Sequence, residues 1–265
     1  MAALRATPAA VCEAQYSSSP AKLGFMRVDT MAVMLGLANV AAYARVLVVE
    51  TCGGLLTAAA AERLGGHGSV HSVWLGPKPP SWEVWRQCSL SAAARQAVKF
   101  VQLGQLLQLG GDLEAASAAT AADDQLAAGS AARDDIQRAA VTVDVGGSFD
   151  SCLIAAPRIG AIELLRTLRP LLAPSASFVV YSPYAQPLGE ALQVLRRSGQ
   201  AVNLALQEGW WRELQVLPAR THPMMIMDHG GGLILSGTMR LQKAETGAEA
   251  TAAGEGQAAK RQHVG

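Results

Sequence analysis

The sequence lacks a strong net charge, a long apolar run and a cysteine framework. Its net charge is +1, so no global basic field indicates a nucleic-acid partner. The longest apolar stretch, residues 31–49, is interrupted by Asn39 and Arg45, which argues against a transmembrane helix. The four cysteines show no metal-ligand spacing, which predicts a reduced intracellular protein without disulfides; they are Cys12, Cys52, Cys88 and Cys152.

Three segments are poor in the large apolar side chains that a packed core needs. They are residues 1–20, a run at about 110–147 and residues 241–265, all rich in alanine and small polar residues. Such segments cannot bury enough surface to offset the entropy lost on ordering. The sequence therefore predicts a disordered N-terminus, a low-complexity insertion and a disordered tail around one domain at 21–240.

Strands and helices alternate in the remaining sequence. Residues 45–50 form a short apolar run, typical of a strand buried on both faces, and Gly53-Gly54 turns the chain into a helix that ends at Gly65. Further strands are predicted at 69–75, 152–155, 178–181, 202–207 and 233–239, and helices at about 90–109, 159–168 and 188–198. This rhythm predicts an α/β fold with a doubly wound parallel sheet, an antiparallel element last and residues 202–207 at an edge.

The turn after the first strand is the place to search for a ligand site. Open α/β sheets bind ligands at the carboxyl ends of their strands, and a nucleotide-type cofactor needs glycines there for close backbone approach. Class I methyltransferases usually carry Glu-x-Gly-x-Gly-Ser/Thr-Gly. Here the string from Glu50 to Leu56 reads ETCGGLL, with Cys52 in the first glycine position and leucines in the last two. A lone Gly-Gly pair favours a tight turn over a binding loop.

Two further requirements of a methyl-donor site are missing. Residues 65–82 contain no acid that would bind ribose hydroxyls, and the fourth strand ends in Ala155-Ala156-Pro157 where a polar residue should face the target base. His67 and His71 straddle a glycine and a strand start, so they do not form a metal pair on one helix face. No Gly-x-Ser-x-Gly elbow or Walker loop occurs. The sequence predicts no catalytic residue, metal or cofactor.

Two strings carry a specific resemblance. The first is RVDTMAVMLGLANV at 27–40, followed by VLVVETCGGLL at 46–56, and the second is QVLPARTHPMM at 215–225, followed by GGGLILSG at 230–237. Together they resemble the non-catalytic subunit of the eukaryotic tRNA (adenine-58-N1)-methyltransferase. The resemblance covers about residues 22–108 and 148–240.

This resemblance implies a class I methyltransferase-like, Rossmann-like fold with a degenerate cofactor site. The degenerate positions here are Glu50, Cys52, Gly53, Gly54, Leu56 and Ala155. It also implies a homologous catalytic partner subunit, commonly in a dimer of heterodimers (a heterotetramer), and a share in binding tRNA during tRNA processing in the nucleus, away from membranes. The catalytic partner carries Asp-Leu-Pro where this chain has Ala155. Family members usually have a β-rich domain before the Arg-x-Asp-Thr segment, and about twenty residues precede it here.

Several interpretations remain open. The chain is either a scaffolding and tRNA-binding subunit or, alternatively, an S-adenosylmethionine-dependent methyltransferase with an atypical pocket. Arg220 and His222 are candidate contacts to RNA or a partner, against the alternative that they bind local carbonyls. Trp82 and Trp85 fit a core or an interface better than a base-stacking platform. With Trp210 and Trp211 they form an aromatic surplus, which predicts a partner surface.

Overall fold

The computed structural model describes residues 5–111, 149–225 and 230–240. Most of the predicted insertion and the predicted tail lie outside these ranges. The described helices are α1 (Pro8–Ser18), α2 (Val28–Leu37), α3 (Leu55–Leu64), α4 (Glu83–Gln87), α5 (Ala92–Gln96), α6 (Leu103–Gly111), α7 (Ala161–Leu168) and α8 (Ala185–Ser198). Two short 3-10 helices cover Pro20–Leu23 and Arg169–Leu171.

A seven-stranded sheet forms the centre of the fold. Its strands are β1 (Arg45–Glu50), β2 (Ser69–Trp74), β3 (Val98–Gln102), β4 (Phe149–Ala155), β5 (Leu172–Ser182), β6 (Ala201–Glu208) and β9 (Leu233–Met239). They lie in the order β3-β2-β1-β4-β5-β9-β6. The first five are parallel, and β9 is antiparallel to both of its neighbours. The predicted doubly wound sheet, its antiparallel end and the edge position of β6 are confirmed.

The apolar run of β1 is explained by two cores, one on each face of the sheet. Val46 and Val48 pack in the core that also contains buried residues of α1, α2 and α3. Leu47 and Val49 point to the opposite core, which is built with α7 and α8. Because successive side chains of a strand alternate between faces, a strand covered on both sides needs apolar residues throughout.

The helix predicted at about 90–109 is wrong. The structure has α5, then strand β3, then α6 in this range. Val98 to Val101 contains two valines and a phenylalanine, residues that favour strands, and it pairs in parallel with β2 as the outermost strand of the sheet. The apolar spacing alone did not separate a short buried strand from a helix, an ambiguity of short apolar runs.

The described part of the N-terminus also differs from the predicted disorder. Residues 8–18 form helix α1, which Pro8 opens and which the Thr7 hydroxyl caps by accepting a hydrogen bond from Ala10 N at 3.2 Å. Val11 and Cys12 of this helix are buried in the first core. Composition failed here because a short helix needs only a few buried side chains to pack on a core, and in α1 these are Pro8, Val11 and Cys12.

A second sheet was not predicted at all. Strands β7 (Leu214–Leu217) and β8 (Arg220–Pro223) pair as an antiparallel hairpin, separate from the large sheet. The hairpin lies in the connection between β6 and β9. Its turn residue Ala219 has a φ of 56°, a left-handed conformation that sequence patterns do not announce for alanine.

Candidate functional site

The turn after β1 is closed by the chain itself. Gly53 and Gly54 have φ values of 67° and 90°, a backbone region that favours glycine. A Cβ on Gly53 would lie 2.9 Å from Val84 Cγ2, and a Cβ on Gly54 would lie 2.7 Å from Trp85 Cβ. The two glycines therefore give close approach to helix α4 of the same chain. In a cofactor-binding loop the same freedom would serve the ligand.

Hydrogen bonds fix α4 on this turn. The backbone amides of Val84 and Trp85 both donate to Gly53 O at 3.0 Å. Trp82 and Trp85 are 1% and 6% exposed, and their rings contact Phe100 at centroid distances of 4.6 and 5.7 Å. The structure therefore supports the interpretation of these two tryptophans as core residues. Their inclusion among aromatics left for a partner was wrong, because α4 folds them over the glycine turn.

The surviving acid of the motif has an internal role. Glu50 is buried, and its carboxylate accepts hydrogen bonds from Leu56 N at 3.1 Å, Thr57 N at 2.7 Å and Thr57 Oγ1 at 2.5 Å. These amides belong to the first turn of α3, where backbone donors have no partner within the helix. Burial raises the pKa of Glu50, while the donors from Thr57 and Leu56 act in the opposite direction. Glu50 caps a helix of its own chain.

Cys52 joins the turn to the N-terminal segment. Its side chain is fully buried, and its thiol lies 3.3 Å from Leu23 O and 3.8 Å from Ala155 O. Burial raises the pKa of this thiol well above its ordinary value, so it stays protonated. Leu23, which ends the short 3-10 helix, therefore lies over the first glycine position of the motif.

The N-terminal segment also reaches the end of β5. Tyr181, at the carboxyl end of that strand, donates its hydroxyl proton to Gly24 O at 3.0 Å. A Cβ on Gly24 would be 3.5 Å from Cγ of Pro157, two residues after the end of β4. Residues 23–24 thus cover the ends of β1, β4 and β5, which is where ligands bind in open α/β sheets.

An opening lies at the ends of β1 and β2. A cavity of about 430 Å³ there has mainly apolar walls, with Trp74, Leu75 and Gly76 at the end of β2. The nearest acid on its rim after β2 is Glu83, whose carboxylate is exposed and pairs with Lys22 at 3.8 Å. The end of β2 therefore supplies no acid for ribose hydroxyls, and the residues present do not fit S-adenosylmethionine.

The histidines and the described acids do not form another site. His67 contacts the ring of Tyr43, and His71 lies buried in β2 with its ring edge against Phe149. In the described ranges, no group of three or more histidines, cysteines, aspartates and glutamates is placed to hold a metal ion. No helix of the described residues is long and apolar enough to cross a membrane.

The hairpin carries the two tentative contact residues. Arg220 begins β8 and is exposed, while His222 is half-buried with Nδ1 2.9 Å from Pro223 O. The local hydrogen bond of His222 fits the alternative interpretation for that residue, and both assignments stay predictions. The surrounding apolar surface is exposed: Trp210, Trp211, Leu214, Val216, Met224 and Met225.

A hydrogen bond and an ion pair at the base of this hairpin were not predicted from the sequence. The Thr30 hydroxyl donates to Gly231 O at 2.7 Å, and a Cβ on Gly231 would lie 2.9 Å from that hydroxyl. Arg27 and Asp29 form a short ion pair, with Nη2 and Oδ2 2.7 Å apart. The Arg-x-Asp-Thr segment and the triple glycine, distant in sequence, therefore lie together in the fold. Only their joint presence in the resembling strings signalled this contact.

Comparison with sequence families gives a specific match. The sequence model of the Gcd10p family matches residues 1–130. The chain is 31% identical to trm6, the tRNA (adenine(58)-N(1))-methyltransferase non-catalytic subunit of Dictyostelium discoideum, over 89% of this chain and 50% of that protein. It is 30% identical to the mouse subunit of the same name, TRM6, over 84% of this chain and 57% of that protein. The chain spans about half the length of these curated relatives.

Solved structures share the fold. An O-methyltransferase from Thermotoga maritima, described as S-adenosylmethionine-dependent, aligns with a TM-score of 0.55 at 12% identity, over 83% of this chain and 68% of its own. The tRNA (m1A58) methyltransferase TrmI from Aquifex aeolicus aligns with a TM-score of 0.55 at 15% identity, over 82% of this chain and 70% of its own. At these identities the likeness establishes the class I methyltransferase fold alone.

Proposed function

We propose that this chain, whose residues 1–130 match the sequence model of the Gcd10p family, is the non-catalytic, tRNA-binding subunit of a tRNA N1-methyladenosine-58 methyltransferase. In this proposal it contributes no methyl-donor site. It scaffolds a homologous catalytic subunit and helps to hold the tRNA on which that subunit acts. The names of the curated relatives, which are non-catalytic subunits, support this function over an active methyltransferase.

The closed turn is the observation that carries the non-catalytic part. Gly53 and Gly54 contact α4, Glu50 caps α3, and Leu23 lies over Cys52. A donor such as S-adenosylmethionine would have to displace buried tryptophans from these positions. Since each displaced aromatic side chain would lose several kcal/mol of packing, roughly 3–5 for a tryptophan truncated in a core, the turn disfavours the cofactor strongly.

The net charge of the described residues supports the proposed role in RNA binding. These residues contain 17 arginines and lysines and 10 aspartates and glutamates, a net charge of +7, whereas the whole chain has +1. Residues 112–148 hold seven acids and two arginines, which accounts for most of the difference. The net charge of the whole chain therefore understates the basic character of the described residues. Affinity for nucleic acid grows with the number of phosphates that basic residues neutralise.

The exposed hairpin supports the proposed binding of a partner subunit. An isolated two-stranded hairpin is marginally stable in water. This one exposes Val216 at 75%, and the residues that flank it expose Trp210 at 79% and Met225 at 88%. Apolar surface of this kind marks a protein interface. We assign this surface to contacts within a dimer of heterodimers in the nucleus, an assignment that extends the proposal to assembly and location.

Co-expression tests the proposal. Expressed alone, the chain should self-associate or be poorly soluble, and it should not methylate tRNA. Co-expressed with the catalytic subunit of the same organism, it should co-purify in a 1:1 ratio and the complex should methylate adenosine 58 of tRNA. A stable monomer that fails to co-purify with that subunit, or methylation of tRNA by the chain alone, contradicts the proposal.

A further inference from the structure

The connection between β6 and β9 carries the exposed tryptophans and the β7–β8 hairpin, and its two ends lie together. Gly209 follows β6 directly, and Gly231 lies two residues before β9. A Cβ on Gly231 would lie 3.3 Å from Gly209 O. The exposed Trp210 comes directly after Gly209. The chain therefore enters and leaves this connection at one point, next to the exposed indoles.

Three side chains at the start of α2 contact both ends of the connection. The Thr30 hydroxyl donates to Gly231 O at 2.7 Å. A Cβ on Gly209 would lie 3.4 Å from Asp29 Oδ2. A Cβ on Gly231 would lie 3.2 Å from Arg27 Nη2. Thr30 is fully buried, and the side chains of Arg27 and Asp29 are only 12% and 16% exposed, so α2 packs closely on the two glycines.

The ion pair in this group has a fixed geometry. Arg27 Nε donates to Asp29 Oδ1 at 2.9 Å, and Arg27 Nη2 donates to Asp29 Oδ2 at 2.7 Å. Two parallel hydrogen bonds of this kind fix the plane of the guanidinium group. A partly buried ion pair is weak evidence for stability, because desolvation offsets the attraction, but it permits few arrangements of its two side chains. The pair therefore contributes order at the base of the hairpin more than stability.

We infer that Arg27, Asp29 and Thr30 are positioning residues for the partner-binding surface, which consists of the β7–β8 hairpin with Trp210 and Trp211. They fix the direction in which the connection leaves the fold before a partner arrives. A surface that is already oriented binds more tightly, because less conformational freedom is lost on association. The inference rests on the proposed function for the identity of the partner, whereas the orientation is a property of the chain itself.

Spin labels test the orientation. One label is placed at Val216→Cys in the hairpin and the other at Gln193→Cys in α8; both positions are exposed, and the four native cysteines are buried. Dilution with unlabelled chain removes distances between molecules. The parent should give a narrow distance distribution, Thr30→Val a broad one, and Thr30→Ser, which keeps the hydroxyl, a narrow one. An equally narrow distribution in Thr30→Val overturns the inference.

Two adjacent glycines provide a matched pair for the effect on assembly. In Gly231→Ala the new Cβ would lie 2.9 Å from Thr30 Oγ1, whereas in Gly230→Ala it would meet nothing within 4 Å. Parent and variant chains with different tags are co-expressed with a limiting amount of the catalytic subunit, and mass spectrometry measures the ratio captured. Gly231→Ala should be captured about tenfold less than the parent, because its two indoles lose freedom only on binding. Gly230→Ala should be captured equally, and equal capture of both variants overturns the inference.

The two measurements separate failure of the inference from failure of the proposed function. If the catalytic subunit does not capture the parent chain, the proposed function is contradicted, and the distance distributions alone decide whether the three residues position the hairpin. If the parent is captured and Gly231→Ala is captured equally, the inference alone is contradicted. If Thr30→Val lacks a cooperative unfolding transition, Gly231→Ala takes its place in the distance measurement, with Gly230→Ala as the control.

Discussion

Two regions of the molecule orient their side chains in opposite ways. The first is formed by the ends of β1, β4 and β5, and the second by the β7–β8 hairpin with its flanking residues. At the strand ends, groups that serve chemistry in this fold are turned inwards: Glu50 caps a helix, and the Gly53-Gly54 turn receives α4. On the hairpin and in the segment that precedes it, large apolar side chains that would normally pack inside are turned outwards, with Trp210 and Trp211 exposed at 79% and 55%.

The difference separates residues that stabilise the chain from residues available to a partner. Residues at the closed strand ends pack in the core, so they contribute to stability. The exposed aromatic surface contributes no packing in the isolated chain, and surface of this kind marks an interaction site. The comparison predicts that substitutions at the strand ends lower stability and that substitutions on the hairpin lower assembly.

The largest effect is expected on subunit association, from the two exposed tryptophans that precede the hairpin. The Trp210→Ser/Trp211→Ser double variant should weaken association with the catalytic subunit about 1,000-fold, since central tryptophans each contribute about 2–4 kcal/mol to interfaces. The melting temperature of the chain should change little, because both rings are exposed. Co-purification and calorimetry measure association. Tyr184→Ser, which removes a ring exposed at 64% at the start of α8, is the matched control. Unchanged association of the double variant would place the interface elsewhere.

Gly54→Ala should lower the stability of the chain rather than its association with the catalytic subunit. The new Cβ would lie 2.7 Å from Trp85 Cβ at a backbone φ of 90°, so overpacking and left-handed strain together should lower the free energy of unfolding by about 3 kcal/mol. The matched control is Gly36→Ala in α2, where a Cβ would meet nothing within 4 Å and alanine should stabilise the helix by up to about 1 kcal/mol. Denaturant unfolding measures both. A Gly54→Ala variant as stable as the parent would mean that α4 does not rest on the turn.

Glu50→Gln should have a smaller effect of the same kind. The amide keeps one acceptor oxygen but loses the second, so one of the two amides at the start of α3 loses its partner, at a cost of about 1–2 kcal/mol. Because burial raises the pKa of Glu50 in the folded state, this group favours folding at low pH and its contribution falls as the pH rises from about 4.5 upwards. The variant should lack that part of the pH dependence. Denaturant unfolding between pH 4 and pH 8 measures it, and an identical pH profile in both proteins would contradict the assignment.

The smallest expected effect concerns Arg220. If the exposed guanidinium contacts a phosphate, Arg220→Ala in the assembled complex should weaken tRNA binding a few-fold and reduce the slope of log affinity against log salt by about one unit. Arg196→Ala, at the end of α8, provides a control of equal charge change at another exposed arginine. Unchanged affinity and slope for Arg220→Ala would favour a local role for this residue.

Much of the architecture was predictable because its signals are local. The buried run of β1 and the glycine after α8 each follow from a few neighbouring residues. The degenerate positions Cys52, Leu56 and Ala155 were also evident from the sequence, because each is a substitution in a known motif.

What closes the site was not predictable, because every closing contact joins distant parts of the chain. The contacts are those of Leu23 with Cys52, of α4 with Gly53-Gly54 and of Tyr181 with Gly24, and they link segments up to 157 residues apart. Strand β3 was mistaken for helix because its five residues are too few to show a period. The hairpin was missed because its strands are exposed, so burial imposed no apolar alternation on them.

The central claim is that this chain cannot bind a methyl donor. Calorimetric titration of the purified chain with S-adenosylmethionine tests it most directly, with the catalytic subunit as the positive control under the same conditions. Because Gly53 and Gly54 contact α4 and the end of β2 supplies no acid for the ribose, we expect no binding up to millimolar concentrations. A micromolar dissociation constant for the isolated chain would contradict this account.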